Sequence, residues 1–303
     1  MPTLASDLIE STRHHLLTGQ PEKLNKLSGS LTNSATTFAL AYDVAGLQAG
    51  TIVAIDLEEI FVFSVDSTSK TVTDCIRGYN GSTAATHSSG AIVTVQPKFS
   101  KFRILEAIND DLKDLSSPLN GLYQLKTVDL TFNPVTFGYD LAGATGMIGI
   151  QEVRFRTPGP QKTWPKIDSW QLLRNATSSG DFGDFPSGFA LVVYESAQPG
   201  YPVHVVYRAP YVPLVNLTDN VLTVTGLVDT MLDLPPIGAA IRLVAGREIK
   251  RNFDEAQGEP RRAEEVPPQA NIQSVSGLRA LRRDRIMAES VRLQRAYSYE
   301  FVG

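Results

Sequence analysis

One loop of the sequence brings together the residue types of a hydrolytic triad. Asp74, His87 and Ser88 are an acid, a base and a nucleophile, which together can move a proton from a serine hydroxyl to a leaving group. The segment has no nucleophile elbow and no evident oxyanion hole, and its Gly78 and Asn80-Gly81 predict turns. We therefore expect no catalytic residue here and no enzymatic activity.

Three other patterns resemble chemical sites. Adjacent helical residues point about 100° apart, so His14-His15 without a second ligand pair predicts no metal site. The acid pairs Glu58-Glu59 and Asp110-Asp111 have the types of acid-base groups, but we expect both pairs on solvated faces. The glycine-rich run 143–149 lacks the Lys-Ser/Thr of a phosphate loop, which favours a flexible turn. No cofactor is expected.

Composition limits the classes of protein to consider. The 303 residues carry a formal net charge of -4, which gives no overall basic footprint for nucleic acid. The single cysteine, Cys75, excludes an intrachain disulfide and indicates synthesis in a reducing compartment, with Cys75 itself buried in a strand. No run approaches the roughly 18 apolar residues of a spanning helix, and no leader pattern opens the chain. We expect a soluble protein that does not use a membrane.

The elements that position these residues alternate between helical and β periodicity. The predicted fold is α+β: a discontinuous helical unit, made of N-terminal, middle and C-terminal helices, carries a small β-barrel and an antiparallel β-sandwich. The predicted segments are an N-terminal helical segment (1–29), the small barrel or sandwich (30–98), a middle helix (99–121), the antiparallel sandwich (122–225), and C-terminal helices (226–303) with an extended arm at about 254–276.

Particular elements follow from local signals. The middle helix is predicted over 102–115, with one apolar stripe formed by Ile104, Leu105, Ile108, Leu112 and Leu115. The β-branched run Val221 to Val224 is predicted to be the last strand of the sandwich. Pro235-Pro236 marks the start of a later helix. The sandwich region is rich in aromatic residues, which we assign mainly to core packing rather than to sugar or peptide binding.

The C-terminal region contains two groups of candidate contact residues. A predicted helix over 277–297 has a basic bias, and its arginines are candidates for contact with neighbouring subunits or with DNA phosphates. They are Arg279, Arg282, Arg283, Arg285, Arg292 and Arg295. The composition of the segment before this helix, which is proline-rich and charged, predicts an assembly arm that becomes ordered on binding. Its marker residues are Arg261, Arg262, Pro267 and Pro268.

Several stretches of this sequence resemble one family of structural proteins, the head-to-tail connectors (adaptor or neck proteins) of tailed double-stranded DNA bacteriophages. None of the similar stretches is catalytic. They are Arg77-Gly78-Tyr79-Asn80-Gly81 with His87 and the strand from Gly90 to Val93, the helix from Leu4 to Leu17, the helix from Ile104 to Leu112 with Ser117-Pro118-Leu119, and the segments from Gly238 to Lys250 and from Leu281 to Glu289.

The resemblance implies a structural virion protein at the head-tail junction, made in the host bacterial cytoplasm. Its partners would be the portal protein and the tail or stopper proteins, with further copies of itself in a ring, expected to be dodecameric. Double-stranded DNA would pass through the ring without sequence-specific binding. The alternative is a minor tail or baseplate protein whose sandwich binds a host glycan or another tail component. An enzyme ranks last.

Overall fold

The computed structural model describes residues 3–16, 22–44, 46–136, 138–158, 163–176, 185–194, 199–255 and 270–296. The fold class is α+β, with helices and antiparallel sheets. The chain divides into two compact units. Unit 1 comprises residues 1–114 and 212–303, and unit 2 comprises residues 115–211.

Unit 1 contains an antiparallel sheet built from β-branched runs that alternate with Gly, Asp and Ser turns. Its strands in the described residues are β1 (Lys23–Lys26), β2 (Phe38–Ala39), β3 (Ile52–Ile55), β4 (Glu58–Asp66), β5 (Thr71–Ile76) and β6 (Ile92–Val95). They pair in the order β1-β6-β3-β4-β5-β2. The inner face buries the hydrophobic core of the sheet, which includes Val53, Ile55, Ile60, Val62, Val72 and Val93. Cys75 also lies in this core, as predicted.

The two outer strands of this sheet are hydrogen-bonded to each other just beyond their ends. The Ser28 amide donates to the Ala39 carbonyl at 3.0 Å, and the Ala41 amide donates to the Lys26 carbonyl at 2.8 Å. Leu27 and Leu40 form the bridge between these bonds. The backbone groups that would mark an open edge here are therefore paired.

The helices of unit 1 come from three separate parts of the chain. They are α1 (Ala5–Leu16), α2 (Lys101–Leu115), α3 (Val221–Thr225), α4 (Leu234–Glu255) and α5 (Ala270–Ala296), of which α2 ends at the unit boundary. Both α1 and α5 pack against α4. The predicted stripe of α2 is confirmed, because its five apolar residues are all buried. Pro235-Pro236 lies in the first turn of α4, where proline costs no helical hydrogen bond.

Three predicted segments differ from the structure. Residues 23–26, assigned to the N-terminal helical segment, form β1. Val221–Val224, predicted as a strand, lies in α3 because the Asn220 side chain caps the Thr223 amide and Gly226, at φ 78°, ends the helix. The predicted arm is helical at both ends, since α4 reaches Glu255 and α5 begins at Ala270. At Val221–Val224, the caps at Asn220 and Gly226 decide the structure more strongly than strand propensity does.

Unit 2 contains two antiparallel sheets that share one hydrophobic core. Their strands are β7 (Gln124–Thr131), β8 (Tyr139–Asp140), β9 (Gly149–Phe155), β10 (Trp170–Arg174), β11 (Phe189–Val193) and β12 (Pro202–Ala209). The sheet orders in the described residues are β7-β12-β9 and β10-β11-β8. Strand β12 shows the alternation most clearly, with Val203, Val205, Tyr207 and Ala209 all buried. Tyr207 and Trp170 pack in this core, whereas Trp164 and Tyr194 are exposed.

Candidate functional site

The loop that resembles a triad closes over a buried carboxylate, that of Glu58 at the start of β4. Glu58 has 0% of its side chain exposed. The Arg77 guanidinium donates from Nε to Glu58 Oε1 at 2.6 Å and from Nη2 to Oε2 at 2.7 Å. His87 Nε2 lies 2.8 Å from Glu58 Oε2. A bidentate arginine and a histidine thus converge on one carboxylate, the arrangement that gives the strongest charged hydrogen bonds.

Backbone amides complete the surroundings of Glu58. The amide of Gly78 donates to Oε1 and the amide of Ala85 donates to Oε2, each at 3.1 Å. Gly78 has φ 62°, and a Cβ there would lie 2.9 Å from the Ser82 carbonyl oxygen. Only glycine adopts this conformation and fits this space without strain. The turn chemistry of the loop therefore serves to direct donors at Glu58.

Arg77 also links the loop to an earlier part of the chain. Its Nη1 donates to the Thr32 carbonyl and, at 3.0 Å, to the Ala35 carbonyl. Its Nη2 donates to the Ala85 carbonyl at 2.6 Å. One guanidinium thereby holds three segments of unit 1, and 6% of its side chain is exposed. Removing it would leave the buried Glu58 carboxylate without its bidentate partner and would break the contacts to these three carbonyls.

His87 is buried between two carboxylates. Besides Glu58, its Nδ1 lies 3.3 Å from Oδ2 of Asp56, which occupies the turn between β3 and β4 at φ 51°. The hydrogen bonds to Asp56 and Glu58 raise the pKa of His87 to about 9, against the effect of its burial. Burial would raise the pKa of Glu58, but the hydrogen bonds from His87, Arg77 and the two amides lower it to about 2. The site is therefore a cluster of ion pairs, in which the positively charged His87 and Arg77 contact ionised carboxylates.

Glu59 has a separate set of partners on the opposite side of β4. Its Oε2 accepts from Asn80 Nδ2 at 2.7 Å, and its Oε1 accepts from the Ser100 hydroxyl. The Ser82 hydroxyl accepts from the Glu59 amide at 2.9 Å. The prediction that Glu58-Glu59 faces solvent is wrong, because loop residues cover both sides of the strand. The alternation of the two side chains was correct, but neither side is open.

The triad residue types do not come together. Asp74 and Ser88 are exposed, and the acids that contact His87 are Asp56 and Glu58. His87 therefore has carboxylate partners, but they are not the acid that the triad pattern of the loop contains. No sequence spacing indicated the contact between Glu58 and Arg77, which lie 19 residues apart. The sequence signal for this contact was the opposite charge of Glu58, in β4, and Arg77, just after the neighbouring strand β5. Chemically, the group is suited to fixing the loop onto the sheet.

A second buried acidic group lies among the helices of unit 1. Asp111 of α2 is 1% exposed, so the prediction that Asp110-Asp111 is solvated is wrong for this residue. Arg282 Nη2 of α5 donates at 2.8 Å to Asp111 Oδ1 and, also at 2.8 Å, to Asp114 Oδ2. A Cβ on Gly238 of α4 would lie 1.9 Å from Asp111 Oδ1. Glycine at this position therefore lets the acidic side chain pack against α4.

The protonation of Asp111 is set mainly by its burial. Burial raises the pKa of this carboxyl to about 6, although Arg282 and Arg242 act to lower it. Arg242 is more distant, with its Nε 3.9 Å from Asp111 Oδ1. Within the described residues, Asp111 Oδ2 has no hydrogen-bond partner. At neutral pH this carboxyl is therefore still mainly ionised, and it takes up a proton as the pH falls through about 6.

The arginines of α5 fall into two groups. Arg282, Arg285 and Arg292 form internal ion pairs: Arg285 Nε donates to Asp233 Oδ2 at 2.7 Å, and Arg292 Nε donates to Glu289 Oε2 at 2.6 Å. The others are exposed, namely Arg279, Arg283 and Arg295. Helical periodicity explains the division, because α5 buries the stripe Val275, Ile286, Glu289 and Leu293 on its inner face.

The outer face of α5 also carries apolar side chains. Leu281 is 49% exposed, Met287 60% and Val291 45%. Helical spacing places Met287 and Val291 one turn apart, between the exposed Arg283 and Arg295. We call this surface the outer α5 face: Arg279, Leu281, Arg283, Met287, Val291 and Arg295. Apolar residues accompanied by arginine are the composition typical of protein contact surfaces.

Comparisons with known proteins do not place the chain. No family model, no curated protein and no solved structure matches it. In the part of the chain that the structure describes, no group of three or more His, Cys, Asp and Glu side chains is arranged to hold a metal ion. Across those same residues, no helix has the length and apolar character to cross a membrane.

The remaining predicted residues are placed as follows. His14 and His15 are exposed in the last turn of α1. The thiol of Cys75 donates to the Thr36 carbonyl at 3.0 Å, and burial raises the pKa of this thiol to about 11, so it is an unreactive core group. The arm residues lie outside the described residues: Arg261, Arg262, Pro267 and Pro268.

Proposed function

We propose that this chain is a structural virion protein of a tailed bacteriophage, a head-to-tail connector that joins the portal ring to the tail. The observation that carries the proposal is the division of α5. Internal ion pairs fix one face of the helix in unit 1, while the outer α5 face presents arginines and apolar side chains to solvent. A rigid helix with such a face is suited to docking against another protein.

The fold that we infer for this role is a helical unit that carries two β modules. Helices α1, α2, α4 and α5, from distant parts of the chain, form the discontinuous helical unit, supported by the packing of α1 and α5 on α4 and by the Arg282 contacts to α2. The sheet of unit 1 closes as a small barrel, supported by the hydrogen bonds between its outer strands. Unit 2 is the antiparallel sandwich.

Assembly in this proposal proceeds through contacts between copies and with neighbouring proteins. The partners are the portal protein, tail or stopper proteins and further copies in a ring, taken as dodecameric. A ring requires a heterologous interface, in which the outer α5 face meets a different surface of the next copy. Double-stranded DNA passes through the ring without sequence-specific contacts, and the protein is made in the host cytoplasm and acts in the virion. No enzymatic activity, cofactor or membrane is involved.

One observation favours the alternative function, a tail or baseplate protein whose sandwich binds a host glycan or another tail component. The Trp164 side chain of unit 2 is 38% exposed, and its ring lies 5.7 Å from that of His204, edge to face. His204 Nδ1 lies 2.5 Å from Asp129 Oδ1. An exposed aromatic ring beside hydrogen-bonding groups is a suitable surface for a sugar.

The test of the connector function is charge reversal of the outer α5 face in the virus. The variant Arg279→Glu/Arg283→Glu/Arg295→Glu changes only exposed side chains and keeps the ion pairs of Arg282, Arg285 and Arg292. It breaks the exposed pair in which Arg283 Nε lies 3.7 Å from Asp284 Oδ1. We expect DNA-filled heads without attached tails, seen by negative-stain electron microscopy. The matched control reverses three exposed lysines elsewhere in unit 1: Lys26, Lys70 and Lys113.

Normally tailed particles from the α5 variant would refute the proposed docking face. Tailed particles that fail to adsorb to the host, from a Trp164→Ala variant with an intact α5, would instead support the tail or baseplate function. Thermal unfolding of each purified variant separates an assembly defect from a folding defect, because exposed charges change stability little.

A further inference from the structure

Two arginines of unit 2 converge on one backbone position, Gly149 at the start of β9. Arg208 of β12 is the register partner of Gly149 across the sheet. Arg174, the last residue of β10, comes from the other sheet. A Cβ built on Gly149 would lie 3.1 Å from Arg208 Nη2 and 3.7 Å from Arg174 Nη2. Because glycine has no side chain, the two guanidinium groups approach the same point.

Each guanidinium is held in place by uncharged groups. Arg208 Cζ lies 5.5 Å from the centre of the Tyr123 ring, and Arg174 Cζ lies 5.9 Å from that of Phe189. Arg174 Nη2 also donates to the Ile148 carbonyl at 2.5 Å. Stacking uses the face of a guanidinium and leaves donors at its edge. Both guanidinium groups are therefore held in position while some of their N–H donors stay available for a ligand.

Neither charge is matched by an acid in the described residues. No carboxylate there lies within ion-pair distance of Arg174 or Arg208. The Nε of Arg208 has no hydrogen-bond partner among the same residues. By contrast, Arg154 on the same sheet donates to both carboxylate oxygens of Glu152, at 2.6 and 2.9 Å. Two convergent guanidinium groups that no described carboxylate pairs with create a local positive potential that attracts an anion.

We propose that Arg174 and Arg208 form a binding site for an oxyanion, the phosphate or carboxylate group of a ligand. The glycine-rich run 143–149 contributes through Gly149, which lets the arginines converge, and no helix N-terminus or phosphate loop takes part. Guanidinium groups match the geometry of two oxygens on one anion, so the edge donors of both arginines can engage the same group. The site does not depend on the connector function.

The test is isothermal titration calorimetry of the full chain with inorganic phosphate and, separately, with acetate, at matched ionic strength in chloride. We expect saturable binding of at least one oxyanion, weakened about tenfold by Arg174→Gln and by Arg208→Gln. Arg154→Gln is the matched control, because Arg154 lies in the same sheet as Arg208 but pairs with Glu152. This variant should bind the oxyanion as tightly as the unaltered chain does. A preference for phosphate or for acetate identifies the group that the site takes.

A second variant tests the geometry rather than the charge. Gly149→Val keeps both arginines but places a side chain where their Nη2 atoms converge, so we expect it to weaken binding as well. Because Arg174 is exposed, its glutamine variant should fold normally, and thermal unfolding checks this. Two results would overturn the site: neither oxyanion binds above the chloride background, or Arg154→Gln weakens binding as much as Arg174→Gln.

Discussion

The Arg77 to His87 loop and helix α5 are both rich in charged groups, yet they use them differently. In the loop, Arg77 and His87 point inward to Glu58, which is fully buried. On α5, internal partners hold one group of arginines, and Arg279, Arg283 and Arg295 face solvent. The charges of the loop are directed at a buried acid of the same unit, whereas the exposed arginines of α5 are accessible to another molecule.

The two regions also differ in how the charges stabilise structure. A buried ion pair contributes little net stability against an apolar replacement, but breaking it leaves an uncompensated charge. An exposed arginine can be replaced at almost no cost to folding. Substitutions in the loop should therefore change stability, and substitutions on the outer α5 face should change assembly.

The largest effect is expected for Arg77→Ala. It leaves His87 as the charged side-chain partner of the buried Glu58, and it removes the donor to the Thr32 and Ala35 carbonyls. The free energy of unfolding should fall by about 3–5 kcal/mol, measured by urea denaturation. Arg103→Ala is the control: its pair with Glu106 is on the surface, so the change should be at most about 1 kcal/mol. Equal effects of the two variants would contradict the structural role of Arg77.

Within α5, Arg282→Ala should be much more destabilising than Arg279→Ala. Arg282 donates to the buried Asp111, and its loss should cost about 1.5–3 kcal/mol, the range for hydrogen bonds to charged groups. Arg279 is exposed, and its replacement should cost less than about 0.5 kcal/mol. The comparison is made by denaturant unfolding at neutral pH. A similar cost for both would mean that α5 is not divided into an inner and an outer face.

Gly78→Ala tests whether the turn geometry of the loop matters separately from its charges. The alanine would have positive φ, and its Cβ would lie 2.9 Å from the Ser82 carbonyl oxygen. The free energy of unfolding should therefore fall by about 1–3 kcal/mol. Gly81→Ala is the matched control because Gly81 has φ 85° but open space around its Cβ position. The difference between the two in unfolding free energy isolates the steric contact. No difference would show that the loop relaxes without cost.

The pH dependence of stability should show the charged state of His87. Because the pKa of His87 is raised from 6.5 to about 9 in the fold, its contribution is complete below pH 6.5 and is lost as pH rises through 9. The pKa of Glu58 is lowered to about 2, so its contribution is complete above pH 4.5 and is lost on acidification. Stability from this pair is therefore greatest between pH 4.5 and 6.5.

The alkaline part of this profile provides the measurement. Stability of the unaltered chain should decline between pH 6.5 and 9, by at most about 1.4 kcal/mol per pH unit for this one group. In His87→Gln that decline should be absent, as followed by thermal unfolding over the same pH range. An unchanged slope in the variant would show that His87 is not held as a cation by Asp56 and Glu58.

Periodicity predicted the elements of this chain better than it predicted the surroundings of the charges. The stripe of α2, the burial of Cys75 and the proline start of α4 follow from local patterns, and the structure confirms them. The burial of Glu58 and Asp111 depends on contacts with distant residues, so no local pattern predicts it. Acid-rich strands and helices normally face solvent, and only the opposing arginines reverse that expectation here.

The candidate functional residues also depend on contacts between distant parts of the chain. The basic bias of α5 was visible in the sequence, but its division into inner and outer arginines required knowing which face packs on α4 and α2. The convergence of Arg174 and Arg208 on Gly149 joins two sheets, and no sequence spacing indicated it. A functional group of residues within one helix or strand can be predicted from sequence. A group formed by residues of several elements can be identified only from the packed fold.

Cryo-electron microscopy of intact particles that contain this chain can test whether it joins head to tail through the outer α5 face, as we propose. We predict a ring of this chain between portal and tail, with Arg279, Arg283 and Arg295 at a contact with another protein subunit. Density for the chain at the tail tip, or a ring in which these arginines face only solvent, would contradict it.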